Sequence, residues 1–207
     1  MSRTLPAALA VLALSALLFL VACEDEDGDG PPPTATTAAT AVVSPTAPAV
    51  ATETPEPVPT GAFEGGRDPV EAPAQSQGAP LLADVRTGEH EGYDRITFEF
   101  EGDGRPAYRV EYITPPATGC GSGLPYTIAG TVLLQVKFSN TNAHDQQGNS
   151  TIDANEITPG LPTLLEGELT CDFEADVTWA LGLSYHADFR VLELENPARI
   201  AVDLQHP

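Results

Sequence analysis

The chain has 207 residues, with 30 Asp and Glu against nine Lys and Arg, 20 Pro, 18 Gly and a net charge of −21. A balance this acidic repels phosphate, which excludes nucleic acid as a partner and disfavours an anionic lipid face. The length allows one domain of ordinary size beside segments that do not fold, and the 42% of hydrophobic residues averages stretches with different physics.

Residues 1–22 carry Arg3 and no acid, and Ala7 through Ala22 are apolar apart from Ser15. A basic start before an apolar core is the layout of a secretory signal peptide. The alternative, an uncleaved transmembrane helix, is barely long enough to span and contains Pro6. Leu20-Val21-Ala22-Cys23 closes the segment and resembles the lipobox of bacterial lipoproteins. The resemblance implies that residues 1–22 are removed and that Cys23, acylated on its thiol, begins the mature chain. Two or more acyl chains give stable membrane anchoring where one does not.

Residues 23–80 form the second segment, with ten acids and one Arg. Glu24-Asp25-Glu26-Asp27-Gly28-Asp29-Gly30 is followed by Pro31-Pro32-Pro33 and a Thr/Ala/Pro tract without hydrophobic periodicity. Such composition cannot bury enough apolar surface to offset the entropy of ordering, so a disordered tether is expected. Its reach runs from about 40 Å as a random coil to roughly 180 Å fully extended.

Residues 81–207 read as a small all-β domain with twenty acids, six Arg and one Lys. Period-two alternation begins near Leu81. Ile96, Phe98 and Phe100 alternate with Arg95, Thr97 and Glu99, and Tyr108, Val110 and Tyr112 alternate with Arg109 and Glu111. Val132, Leu134, Val136 and Phe138 form the next face, although Leu133 breaks its polar side. Val177, Trp179, Leu181 and Leu183 follow. Phe189, Val191, Leu192 and Leu194 slip phase once, as a β-bulge would require, and Ile200, Val202 and Leu204 close the series. About eight strands with one apolar face each predict a two-sheet β-sandwich.

The long gap, residues 139–162, is rich in Asn, Asp and Glu, including Asn140, Asp145, Asn149 and Asp153. Its oxygen-rich composition raises Ca²⁺ binding, but the EF-hand order is absent and turn formation by Asn and Asp is the better reading. With Cys23 spent on lipid, Cys120 and Cys171 remain as an even pair in an oxidising compartment. A structural disulfide is favoured over a redox thiol, because neither has a C-x-x-C partner or a basic neighbour.

Two ends of this segment resemble AMIN-like domains. The first is Val85-Arg86-Thr87-Gly88 with Gly92-Tyr93-Asp94-Arg95-Ile96-Thr97-Phe98-Glu99-Phe100. The second is Phe189-Arg190-Val191 followed by Asn196-Pro197-Ala198-Arg199-Ile200-Ala201-Val202-Asp203-Leu204. Gly121-Ser122-Gly123, Ala143-His144-Asp145 and Thr178-Trp179-Ala180-Leu181-Gly182-Leu183 are similar to stretches of lipoproteins of this type. The resemblance implies a compact sandwich of two small sheets. It also implies a non-catalytic module of the kind that targets cell-wall amidases and secretins to peptidoglycan or envelope assemblies. No amidase or secretin domain follows, so the module is expected to act alone or through a partner. Arg95–Phe100 echoes Arg199–Leu204 position for position, as a trace of paired halves would.

Catalytic patterns are weak. Gly119-Cys120-Gly121-Ser122-Gly123 puts Ser122 one place late for a nucleophile elbow, and His90-Glu91 lacks the second His of a zinc helix. A carboxylate pair among twenty acids carries no information, so a cell-wall hydrolase is the least favoured class. No catalytic residue, metal or cofactor is assigned. The candidate binding residues are Arg86, Arg95, Arg109, Arg190 and Arg199, since Arg on a sheet face can grip carboxylates of peptide stems bidentately. Cross-strand pairing with the abundant acids is the stronger alternative for them. The expected protein is a monomeric, membrane-anchored lipoprotein outside the cytoplasm. Its expected partner is peptidoglycan or an envelope component, with a protein of an envelope complex as the alternative.

Overall fold

The computed structural model describes residues 62–207. The signal segment, Cys23 and the tether up to residue 61 lie outside the described residues. Ten strands follow in order: β1 (Val70–Ala72), β2 (Leu81–His90), β3 (Tyr93–Glu101), β4 (Ala107–Ile113), β5 (Val132–Ser139), β6 (Glu156–Ile157), β7 (Leu164–Phe173), β8 (Asp176–Leu183), β9 (Phe189–Leu194) and β10 (Ala198–Gln205). They form a six-stranded sheet of order β1-β4-β5-β8-β7-β6 and a four-stranded sheet of order β2-β3-β10-β9. Every ladder is antiparallel. The described residues contain no helix, and the expected two-sheet β-sandwich is what the chain builds.

The alternating residues meet between the sheets. Phe98 and Phe100 of β3 pack edge-on against Phe138 of β5 at ring separations of 5.0 and 5.1 Å, and Phe98 also meets Trp179 of β8 at 5.9 Å. Ile96, Val110, Leu134, Val136, Leu181 and Val202 complete a core with no exposure. Edge-to-face rings suit the aromatic quadrupole and add about 0.5–1.5 kcal/mol per pair beyond burial.

Several features depart from the periodicity. β1 lies in the stretch read above as tether and pairs with β4 from Val70↔Val110 to Ala72↔Tyr108. Three residues give too short a pattern to stand out beside Pro69 and Pro73. β7 breaks register between Leu164 and Glu166 and again between Leu169 and Cys171. Each break flips the face that later residues present, which removes the period-two signal. The bulge expected in the Phe189 strand does not exist: β9 pairs with β10 without interruption from Phe189↔Leu204 to Leu194↔Arg199. Phe189 and Val191 share the inner face with Glu193, while Leu192 and Leu194 point the other way. Glu193 lies at the open edge of that face, still exposed, and accepts from Tyr108 at 3.0 Å and Arg105 at 2.6 Å.

The echoing segments do not lie in separate halves. β3 and β10 are neighbours in one sheet, paired Arg95↔Asp203, Thr97↔Ala201 and Glu99↔Arg199. The repeated pattern is therefore related by a local two-fold centred between Thr97 and Ala201.

The connection between β4 and β5 folds back over the outer face of the six-stranded sheet. Leu133, Ala180 and Ala117 form a second apolar cluster there, with Ile113 and Ile128 packed against it. That cluster explains why Leu133 interrupts an otherwise polar face. Gly182 permits the approach: a Cβ on it would stand 1.8 Å from the Ala129 carbonyl oxygen. Cys120, on this connection, is disulfide-bonded to Cys171 of β7 with Cα atoms 5.3 Å apart, spanning 51 residues. Closing a loop of that length stabilises the fold by about 4 kcal/mol in the chain-entropy picture.

Candidate functional site

Four of the five candidate arginines share one face of the four-stranded sheet, the one turned away from the core, where Arg95, Thr97, Arg199, Ala201 and Asp203 are themselves buried. Strand pairing arranges it in rows. Gly88, Arg95, Asp203 and Arg190 form one row, and Arg86, Thr97, Ala201 and Leu192 the next. Asp84, Glu99, Arg199 and Leu194 form a third. Arg95 makes a two-point contact with Asp203, and Arg190 Nε donates to the same carboxylate at 2.8 Å. Arg86 bridges Asp84 and Glu99, each at 2.9 Å. Arg199 is 6% exposed and stands opposite Glu99.

Aromatic rings extend this network. The Arg190 guanidinium lies 4.5 Å from the Phe63 ring centre and 5.0 Å from that of Tyr93, while Arg95 lies 5.4 Å from Tyr93. His90 stacks on Tyr93 at 4.8 Å. Beside them, the buried Asp94 carboxylate takes the Thr163 and Leu164 amides at 2.7 and 2.9 Å and His206 Nε2 at 2.7 Å. This one side chain ties the start of β3 to the start of β7 in the other sheet.

Arg109 stands apart, on the six-stranded sheet. It is paired with Glu71 and with Glu111, whose carboxyl it holds below the usual carboxylate range. Arg105, which strand patterning did not single out because it precedes β4, is the more deeply placed cation at 3% exposure, and it pairs with Glu193. The arrangement serves cohesion first, because Arg86, Arg95, Arg105, Arg109 and Arg190 already hold carboxylates of the same chain.

A second surface was not legible as a site. A shallow pocket of about 270 Å³ opens between the connection bearing Cys120 and the end of β7, lined among others by Gly119, Gly121, Ser122, Tyr126, Asp172 and Phe173. The connection is shaped by its own bonds: Gly119 N donates to the Leu124 carbonyl at 2.9 Å, and Leu124 N donates to Ser122 Oγ at 3.2 Å. Gly119 keeps the turn tight, since a Cβ there would meet Ser122 Oγ at 2.7 Å. Asp172 is fixed from behind by the Ala143 amide at 3.0 Å and His144 Nδ1 at 2.7 Å. Against a carboxylate oxygen, Nδ1 carries the proton. Thus Ala143 and His144 hold Asp172, at the end of the strand that lines the pocket together with Gly121 and Ser122.

A family model described as the AMIN-like domain matches residues 80–206. The chain belongs to this family. No curated protein and no solved structure matches it. The matched AMIN-like region begins one residue before β2 and includes nine of the ten strands, so β1 is contributed by residues upstream of the match. AMIN-like domains occur in extracytoplasmic envelope proteins and are generally non-catalytic binding modules. A disulfide suits an AMIN-like domain outside the reducing cytoplasm.

Among the described residues of this AMIN-like domain, no group of three His, Cys, Asp or Glu side chains is placed to hold a metal ion. In the 139–162 connection, Asp145 works as a turn former. Its carboxylate accepts Gln147 N at 2.9 Å, Asn149 N at 2.8 Å and Asn149 Nδ2 at 2.9 Å, and the Asn149 bonds hold its carboxyl below the usual range.

Proposed function

We propose that the chain is a lipid-anchored envelope protein whose AMIN-like domain is a non-catalytic module for peptidoglycan or another envelope component. The AMIN-like match over residues 80–206 carries this reading. Cys23 is the anchoring residue, and residues 24–69 give the module reach from the membrane. The balanced arginine face supports binding that is local, made despite a strongly negative protein. Of the five arginines, Arg86, Arg109 and Arg190 remain the candidate contacts for stem-peptide carboxylates, each only by exchanging an internal partner, while Arg95 and Arg199 are buried at 2% and 6% exposure.

The reading is tested by sedimenting the purified chain with insoluble peptidoglycan at low salt. Co-sedimentation that saturates, without release of soluble muropeptides, is the expected result. No enrichment counts against wall binding and favours a protein of the envelope as partner; release of muropeptides would mean a hydrolase. Labelling with a palmitate analogue should mark the wild type and not Cys23→Ser.

A further inference from the structure

The geometry points to a carbohydrate subsite at the disulfide: a single neutral pyranose ring of a glycan, seated between residues 119–126 and the end of β7. This inference rests on the wall-binding reading and names where that module grips and which chemistry it takes. Leu124 and Phe173 are the exposed large hydrophobic side chains among the described residues, at 67% and 57%. Phe173 lines the pocket, and Leu124 is bonded to Gly119 and Ser122, which also line it. An exposed ring at a concavity, with a second exposed apolar side chain on the connection that forms one wall of it, marks a contact surface.

The lining then selects the ligand. Phe173 and the half-buried Tyr126 present flat rings, and the disulfide adds apolar surface, which suits the C–H face of a sugar. Ser122 is the polar side chain at the pocket for a ring hydroxyl, while the Asp172 carboxylate is turned to Ala143 and His144 and fixes the end of β7. No Lys or Arg lines the pocket, so the carboxylates of a stem peptide find no counter-charge there. The volume of about 270 Å³ lies just below that of drug-sized pockets, which fits one ring rather than an extended chain. A Cβ on Gly121 would meet nothing within 4 Å, so the space beside it is open.

The test uses the full chain purified in detergent, with the N-acetylglucosamine tetramer as soluble probe and intact sacculi as insoluble probe. Calorimetric titration should show saturable tetramer binding that weakens about tenfold in Phe173→Ala and in Gly121→Leu, whose new side chain fills the open space. Both variants should melt at the wild-type temperature, since neither touches the core. Tetramer binding indifferent to both substitutions overturns the subsite. So does an absence of tetramer binding while sacculi still sediment the chain, and that result leaves wall binding standing. If a free stem tetrapeptide displaces the chain from sacculi and the tetramer does not, the contact is to peptide and the sugar assignment fails. If sacculi do not sediment the chain but the tetramer binds through Phe173, the subsite stands and the wall-binding reading fails.

Discussion

Arg95 of β3 closes a two-point ion pair on Asp203 of β10, Nε to Oδ1 at 2.6 Å and Nη2 to Oδ2 at 3.0 Å, with 2% and 0% of the two side chains exposed. Removing one partner of a buried pair costs more than the pair contributes, because the remaining charge keeps its desolvation penalty. Asp203 also serves Arg190, so Asp203→Asn leaves two guanidinium groups short of a carboxylate. The expected loss is about 3–5 kcal/mol, read as a lower urea midpoint at constant slope. An unchanged midpoint would show that the pair is not holding the sheet.

Gly182→Ala tests the covering connection. The added methyl would be driven into the Ala129 carbonyl, which is backbone and cannot rotate away. Overpacking of this kind costs about 1–3 kcal/mol or more, so the melting temperature should fall by several degrees. Gly121→Ala is the matched control, with open space around the new methyl and no expected change. Equal melting temperatures for the two variants would refute the close approach.

Glu168 carries a pH signature. Burial, then the charges of Glu156 and Glu166, raises its carboxyl above the ordinary value of 4.5. Glu156 is its cross-strand partner, and like charges placed opposite one another destabilise a sheet. A raised carboxyl in the folded state favours folding only while it holds its proton. The destabilisation is thus absent below pH 4.5 and grows as pH rises through the folded value. Glu168→Gln should stabilise the protein by a few tenths to about 1 kcal/mol at neutral pH, with no gain in acid. A gain that is the same at both pH values would assign the effect to packing instead.

The β7–β8 turn holds Glu174 and Ala175 at φ of 52° and 62°. A two-residue hairpin turn of this hand is ordinarily made by Asn-Gly, because side chains meet the backbone in the left-handed region at about 1–2 kcal/mol per residue. Ala175→Gly should therefore raise the stability by roughly 0.5–1 kcal/mol, the relief of strain being partly offset by the freer unfolded chain. Denaturant unfolding measures it; a loss of stability would mean that the Ala175 methyl packs usefully.

The two-sheet architecture was legible wherever one apolar face ran unbroken. β3, β5, β8 and β10 announced themselves, because Ile96, Phe98, Val136, Trp179 and Val202 each face the same core. β7 was hidden by its two register breaks, and β9 misled because Leu192 and Leu194 sit on the outer face while Glu193 meets Tyr108 and Arg105 at the edge of the inner one. The pocket was not legible for the same reason. Asp172 and Phe173 come from the strand without a period, and their partners His144 and Ser122 come from connections whose paths no periodicity describes. The cysteines were easier, since parity and compartment need no strand assignment.

β10 lies between β3 and β9, in the interior of the four-stranded sheet, although it occupies residues 198–205. During synthesis the ribosome reaches it more than ninety residues after β3. Through that interval Ile96 and Phe98 have no neighbouring strand on one side, and β9 has none to pair with. Trimming the chain at Asn196 would therefore take the middle from a sheet rather than an end from a tail. A nascent molecule has to be kept from aggregating until its final strand slots into place.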